Sequence, residues 1–273
     1  MNIWEIIKIK SQEIFADLDY RSKKKRVKLW KEDPTRHTQF PEDWLLKYKY
    51  FEIIINQPND ISIYGSIAKK ESEIAKAFYD LKIKPFISSF NPQHFANNKF
   101  EGEEYYNYFE TIIKAIIFSY TSIEAFSNIL LEEGYEYHDE DKDIKYGKRY
   151  IESNFKLRDK LKLCLTDILK STNPTNESWW QDFILLEQIR NEVIHSKPSL
   201  SEARYSVLLD DKIFRYIDTY KMVLNFYGQF IVKNKPDFLD DFPLGFGYDE
   251  FSEKYTTGKE IRQLLEFLNK PRQ

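Results

Sequence analysis

Residues 183–198 read FILLEQIRNEVIHSKP. This stretch has the pattern of one amphipathic helix that stops at a proline. Leu186, Ile189 and Val193 recur at the spacing that lines one stripe of an α-helix. At roughly 100° per residue, that stripe faces away from Asn191 and His195. Glu187, Gln188 and Glu192 fall with them on the polar side, and Arg190 lies near the edge of the stripe. His195 is therefore expected to face water, a partner chain or a ligand rather than its own core.

The chain around this helix is long enough for one large domain or two small ones, at 273 residues. Hydrophobic residues make up 42% and charged residues 31%, the balance of a folded rather than a disordered protein. Only 8 residues are glycine, and runs of Leu, Ile, Lys and Glu favour helix over a turn-rich β architecture. The formal net charge of −3 excludes a globally basic nucleic-acid binder, so phosphate contacts would come from a local patch. The single cysteine, Cys164, excludes an internal disulfide framework and a cysteine-rich zinc site, and its apolar surroundings LKLCLTDIL suit a buried thiol. No leader-like apolar segment opens the chain, and no apolar run is long enough to span a bilayer. A cytoplasmic protein without membrane contact is expected.

Along the chain, residues 3–20 carry helical periodicity. Residues 21–31, RSKKKRVKLWK, form the most basic run. They read as a solvated helix face or, alternatively, as a phosphate-binding strip. Residues 44–56, WLLKYKYFEIIIN, suit a buried helix, with a strand leading into a hairpin near residues 57–60 as the alternative. Residues 69–81 are helical. Residues 84–98 hold two prolines, two serines and three asparagines and read as a linker.

Residues 103–133 give the longest helical signal, with Gly134 as a C-terminal stop. A helix or broken pair follows over 142–170, then the loop STNPTNE, where Asn176 or Ser178 would cap the helix holding Arg190. A final long helix covers 211–232, and the tail has a coil at 236–248 and a short helix at 257–268. The expected organisation is an N-terminal, mostly helical extension over 1–99, a helical bundle over 100–235, and a tail over 236–273. The fold class is all-α.

Within the bundle, Arg190 is followed by Asn191 and, after four intervening residues in all, by His195. An arginine, a polar residue and a histidine so spaced in a helix resemble the signature of the HEPN superfamily. The upstream stretch SYTSIEAFSNILLEE, residues 119–133, is similar to an earlier helix of many HEPN domains. The resemblance covers about half of the chain. It implies an up-and-down helical bundle, a homodimer, and a metal-independent endoribonuclease with no cofactor. In it His195 handles the proton of the ribose 2′-hydroxyl and Arg190 steadies the phosphorane, with Asn191 beside them. It also implies a toxin or anti-phage defence effector with an antitoxin or defence-system partner, or a catalytically inactive binding or dimerisation module on the same fold.

Elementary chemistry agrees with these roles. Cleavage by the 2′-hydroxyl needs a proton acceptor near neutrality, which imidazole supplies. The pentacoordinate state gathers negative charge that a guanidinium fork can meet. Arg190 and His195 lie about 140° apart on a regular helix, so two copies across a dyad, or a distorted helix end, would bring the groups together. A plainer role remains open for His195, since a C-terminal histidine also complements the helix dipole.

Other candidates carry less. His37 and His94 lie in loop-like sequence. His138 sits in YHDEDKD, which lacks the ligand alternation of a calcium loop and reads as a solvated acidic loop. Ser199 and Ser201 have no nucleophile-elbow context. Trp179 and Trp180 could stack a base but fit packing at the start of a core helix.

Overall fold

The computed structural model describes residues 21–22, 24–28, 37–41, 43–89, 103–195, 201–235 and 238. They fall in two compact units, Ile63–Pro236 and one drawn from Met1–Ser62 and Asp237–Gln273. The expected helices at 3–20 and 257–268, the coil at 236–248 apart from Phe238, His94 and Ser199 lie outside the described residues.

The fold is predominantly helical, as expected, with small sheets beside the helices. Among the described residues, three two-stranded antiparallel sheets accompany the helices. The N-terminal extension, expected to be mostly helical, contributes two of them. Strands β1 (Lys24–Lys28) and β2 (His37–Pro41) pair, so the middle of the basic run, Lys24–Lys28, is a strand and not a helix face. A helix would have stacked Lys24 and Lys25 over Lys28 as like-charged neighbours.

Strands β3 (Asp43–Tyr48) and β4 (Phe51–Asn56) form the second hairpin, where a buried helix was expected. Ile53, Ile54 and Ile55 are consecutive β-branched residues, which lose rotamer freedom in a helix and fit a pleated surface. They face Leu46, Leu45 and Trp44 across the ladder, the kind of cross-strand pair that stabilises a sheet. The chain reverses at Lys49, whose φ is +53°, and not at residues 57–60.

The larger unit is built on helices. Asn59 caps helix α1 (Asp60–Phe78) by accepting the Ser62 N–H at 3.0 Å. A π-helical turn, Tyr79–Ile83, leads into the short α2 (Lys84–Ser88), where a linker was expected. Helix α3 (Glu103–Ile129) follows. It ends before Gly134, which instead takes φ +85° in the turn ahead of the third hairpin, β5 (Glu136–Asp139) and β6 (Ile144–Gly147). The hairpin opens the region expected to be helical from 142.

Helices α4 (Lys148–Asn154), α5 (Leu157–Asp159), a π-helical segment Lys160–Leu165 and α6 (Thr166–Leu169) complete that region. Three more helices follow: α7 (Trp180–Ile194), α8 (Ser201–Leu208) and α9 (Ile213–Asn234).

The core lies where α3, α7 and α9 pack on one another. Ile112, Ile116, Ile123 and Phe126 of α3, Phe183 and Leu186 of α7, and Ile217, Val223, Leu224 and Ile231 of α9 are all buried. Tyrosines enter this core with a hydroxyl to satisfy, and Tyr108 and Tyr227 each find a carbonyl. Tyr108 donates to Leu208 O at 2.6 Å and Tyr227 to Leu161 O at 2.7 Å. Ser119 donates to Ile217 O at 2.6 Å, pinning α3 to α9. Cys164 is buried as expected, and burial pushes its thiol up to about 12. No helix among the described residues is long and apolar enough to cross a membrane.

Burial raises the pKa of Tyr108, Tyr120 and Tyr227 above the usual value of 10.0. The unfolded chain therefore releases these protons first as pH rises, and the folded state holds them longer. Their stabilising contribution is complete below pH 10 and falls away above it. Alkaline titration followed at once by circular dichroism and tyrosinate absorbance is expected to show these rings ionising together with unfolding. Their free ionisation in a still-folded protein would contradict the packing.

Candidate functional site

The helix carrying the motif is α7. Its N-cap is Trp179, with no side-chain cap. Neither Asn176 nor Ser178 takes that role, and Asn173 instead caps the preceding 3₁₀ turn, Pro174–Asn176, by accepting Thr175 N–H at 3.0 Å. Trp179 and Trp180 are buried, Trp179 edge-on to Phe226 at 5.5 Å and Trp180 beside Phe183 at 5.4 Å. Both pack in the core rather than waiting for a base.

Leu186 and Ile189 are buried as their periodicity predicts, and Val193 is half-buried. Glu187, expected on the polar side, is a correction: only 3% of it is exposed. Trp180 lies two turns before it on the same face, as Phe183 does before Arg190. These aromatic residues rotate the buried arc toward Glu187 and Arg190.

Burial of a carboxylate demands compensation. Arg158, from α5, supplies it. Its Nε donates to Glu187 Oε2 at 2.8 Å, and its Nη2 makes a closer contact with the same oxygen. The Tyr120 hydroxyl of α3 donates to Glu187 Oε1 at 3.3 Å. Burial, and then the Glu187 charge, raise the pKa of Tyr120, so the ring stays a neutral donor.

Arg190 sits over the face of that ring. Its guanidinium carbon lies 4.8 Å from the Tyr120 centroid, a cation–π arrangement. Its Nη1 donates to Asn191 Oδ1 at 2.9 Å, while its Nε is buried with no hydrogen-bond partner. No carboxylate among the described residues forms an ion pair with it.

His195 caps the C-terminal end of α7. Its N–H donates to Asn191 O at 2.9 Å, and its ψ of 54° takes the backbone out of the helix. Its side chain is exposed. The structure thus joins Arg190 to Asn191 directly, and no hydrogen bond joins the His195 ring to either. Asn191 Oδ1 is engaged by the arginine rather than by the imidazole.

The remaining candidates stay apart from this group. His138 is on β5, exposed, with Nε2 3.1 Å from Asp143 Oδ1. His37 and Ser201 begin β2 and α8. Among the described residues, no group of three or more His, Cys, Asp or Glu side chains is placed to hold a metal ion. Glu187, Arg158 and Tyr120 lie outside the Arg190–His195 motif. A signal for Glu187 was present, since it stands seven residues after Trp180. Arg158 had none, because nothing in local sequence ties α5 to α7.

No known protein family, no curated protein and no solved structure matches this chain.

Proposed function

We propose that the protein is a metal-independent endoribonuclease of the HEPN kind, built on an up-and-down bundle and acting as a homodimer. His195 takes the proton of the ribose 2′-hydroxyl, Arg190 meets the charge on the in-line phosphorane, and Asn191 orients that arginine. The observation that carries this reading is the state of Arg190. It is a half-buried cation with a buried, unbonded Nε and no carboxylate partner among the described residues. A guanidinium so held favours an oxyanion, and a phosphodiester presents one.

Arg190 and His195 leave α7 in different directions, so the reaction draws the arginine of one copy and the histidine of the other to a shared seam. A toxin or defence effector follows from such an activity, held in check by an antitoxin or defence-system partner. Expression in a bacterial host tests this: the wild type is expected to arrest growth, and Arg190→Ala to restore it. Equal growth with both would argue against the reading.

The Arg190–Tyr120 contact also favours a second reading. In it the cation cements α7 to α3, in a catalytically inactive dimerisation module on the same fold. That module leaves RNA intact and still self-associates.

A further inference from the structure

Two arginines lie near one buried carboxylate, and only one of them pairs with it. Arg158 holds Glu187 Oε2 through two nitrogens, whereas Arg190 meets the Tyr120 ring and Asn191. Yet Glu187 and Arg190 are three residues apart on α7, a spacing at which opposite charges on a helix reach one another. The Tyr120 side chain touches both, its hydroxyl on Glu187 and its ring under the guanidinium.

We propose that Arg158 is a positioning residue that keeps Arg190 open to an oxyanion by saturating Glu187. This rests on reading Arg190 as the phosphate contact. A carboxylate buried this deeply cannot stay uncompensated. Take Arg158 away, and Arg190 is the cation on hand. Its guanidinium turns from the oxyanion position to Glu187, and the positive site disappears although Arg190 itself is unchanged. Glu187 matters here only as a competitor for the same cation. Removing it together with Arg158 returns Arg190 to the open state.

The experiment measures melting temperature against inorganic phosphate, with chloride at matched ionic strength as the reference, since a ligand that binds the folded state raises it. The wild type is expected to show a saturable, phosphate-specific rise. Arg158→Leu abolishes it, the double variant Arg158→Leu/Glu187→Leu regains it, and adding Arg190→Met to the double variant removes it again. A folded Arg158→Leu that no longer responds to phosphate separates this role from a merely structural one, which leaves the response of a folded variant intact.

The double variant removes both members of the buried ion pair, so it shows whether Arg190 takes phosphate without them even where Arg158→Leu alone does not fold. Three results overturn the proposal: no phosphate-specific response in the wild type, a full response in Arg158→Leu, or no response in the double variant. RNA left uncut while the phosphate pattern holds sinks the nuclease reading alone. Cleavage that persists in Arg158→Leu with its phosphate response intact sinks this proposal alone.

Discussion

Total RNA incubated with the purified protein in EDTA is expected to break into fragments ending in 2′,3′-cyclic phosphate and 5′-hydroxyl groups. His195→Ala should slow this by ~10²–10⁴-fold, the usual worth of a positioned acid–base group. Arg190→Ala should cost ~10²–10³-fold, as loss of one oxyanion donor does. EDTA matters because the scheme needs a proton acceptor and a guanidinium but no Lewis acid. The exposed His195 ring has solvent to exchange protons with, and the half-buried Arg190 has the low-dielectric setting in which its charge counts most.

The two inactive variants, mixed, sharpen the test. If the site takes Arg190 from one copy and His195 from the other, a mixed dimer holds one intact pair and one doubly defective pair. Random exchange of subunits then recovers about a quarter of wild-type activity. A site contained within one chain recovers none. RNA that decays equally with wild type and His195→Ala would refute the nuclease outright.

Much of the helical frame could be read from sequence where periodicity was long and uninterrupted. Tyr108, Ile112, Ile116, Ile123 and Phe126 mark the buried face of α3, and all are buried. The hairpins were harder, for different reasons. In β3–β4 both faces carry apolar residues, so the period-2 alternation that identifies a half-buried strand is missing. Trp44, Leu45, Ile53 and Ile54 are each at least 45% exposed, a pattern that no burial-based reading of WLLKYKYFEIIIN anticipates. In β5–β6 the four-residue strands are too short for any period to register.

The site was partly legible. Arg190, Asn191 and His195 stand out by residue type and spacing, and the exposure of His195 follows from the wheel. What surrounds Arg190 did not emerge, because it depends on contacts remote in sequence. Tyr120 comes from α3 and Arg158 from α5. The misplacement of Glu187 has a local cause. Leu186, Ile189 and Val193, which put Glu187 on the polar side, describe the C-terminal half of α7. Trp180 and Phe183 describe the N-terminal half and point the buried arc elsewhere.

That account of α7 has a measurable consequence. Phe183 is fully buried beside Trp180, so Phe183→Ala should lose about 3–5 kcal/mol through lost transfer energy plus the cavity left behind. For a unit of this size each kcal/mol lowers Tm by roughly 2–4 °C, which places the variant well below the wild type in a thermal melt. Val193→Ala should cost much less, since Val193 is only half-buried, and Ile194→Ala, at a 41% exposed position, should stay within about 0.5 kcal/mol. The ordering matters more than any single value. If the buried arc ran through Leu186, Ile189 and Val193 as periodicity alone implies, Val193 would be fully buried and Val193→Ala would cost about 1.5–3 kcal/mol, approaching the Phe183→Ala range. Glu187 would then face solvent, and Arg158 would have no buried charge to neutralise. A melt that ranks Phe183 far above Val193 supports the rotated arc, and with it the burial of Glu187 on which the isolation of Arg190 depends.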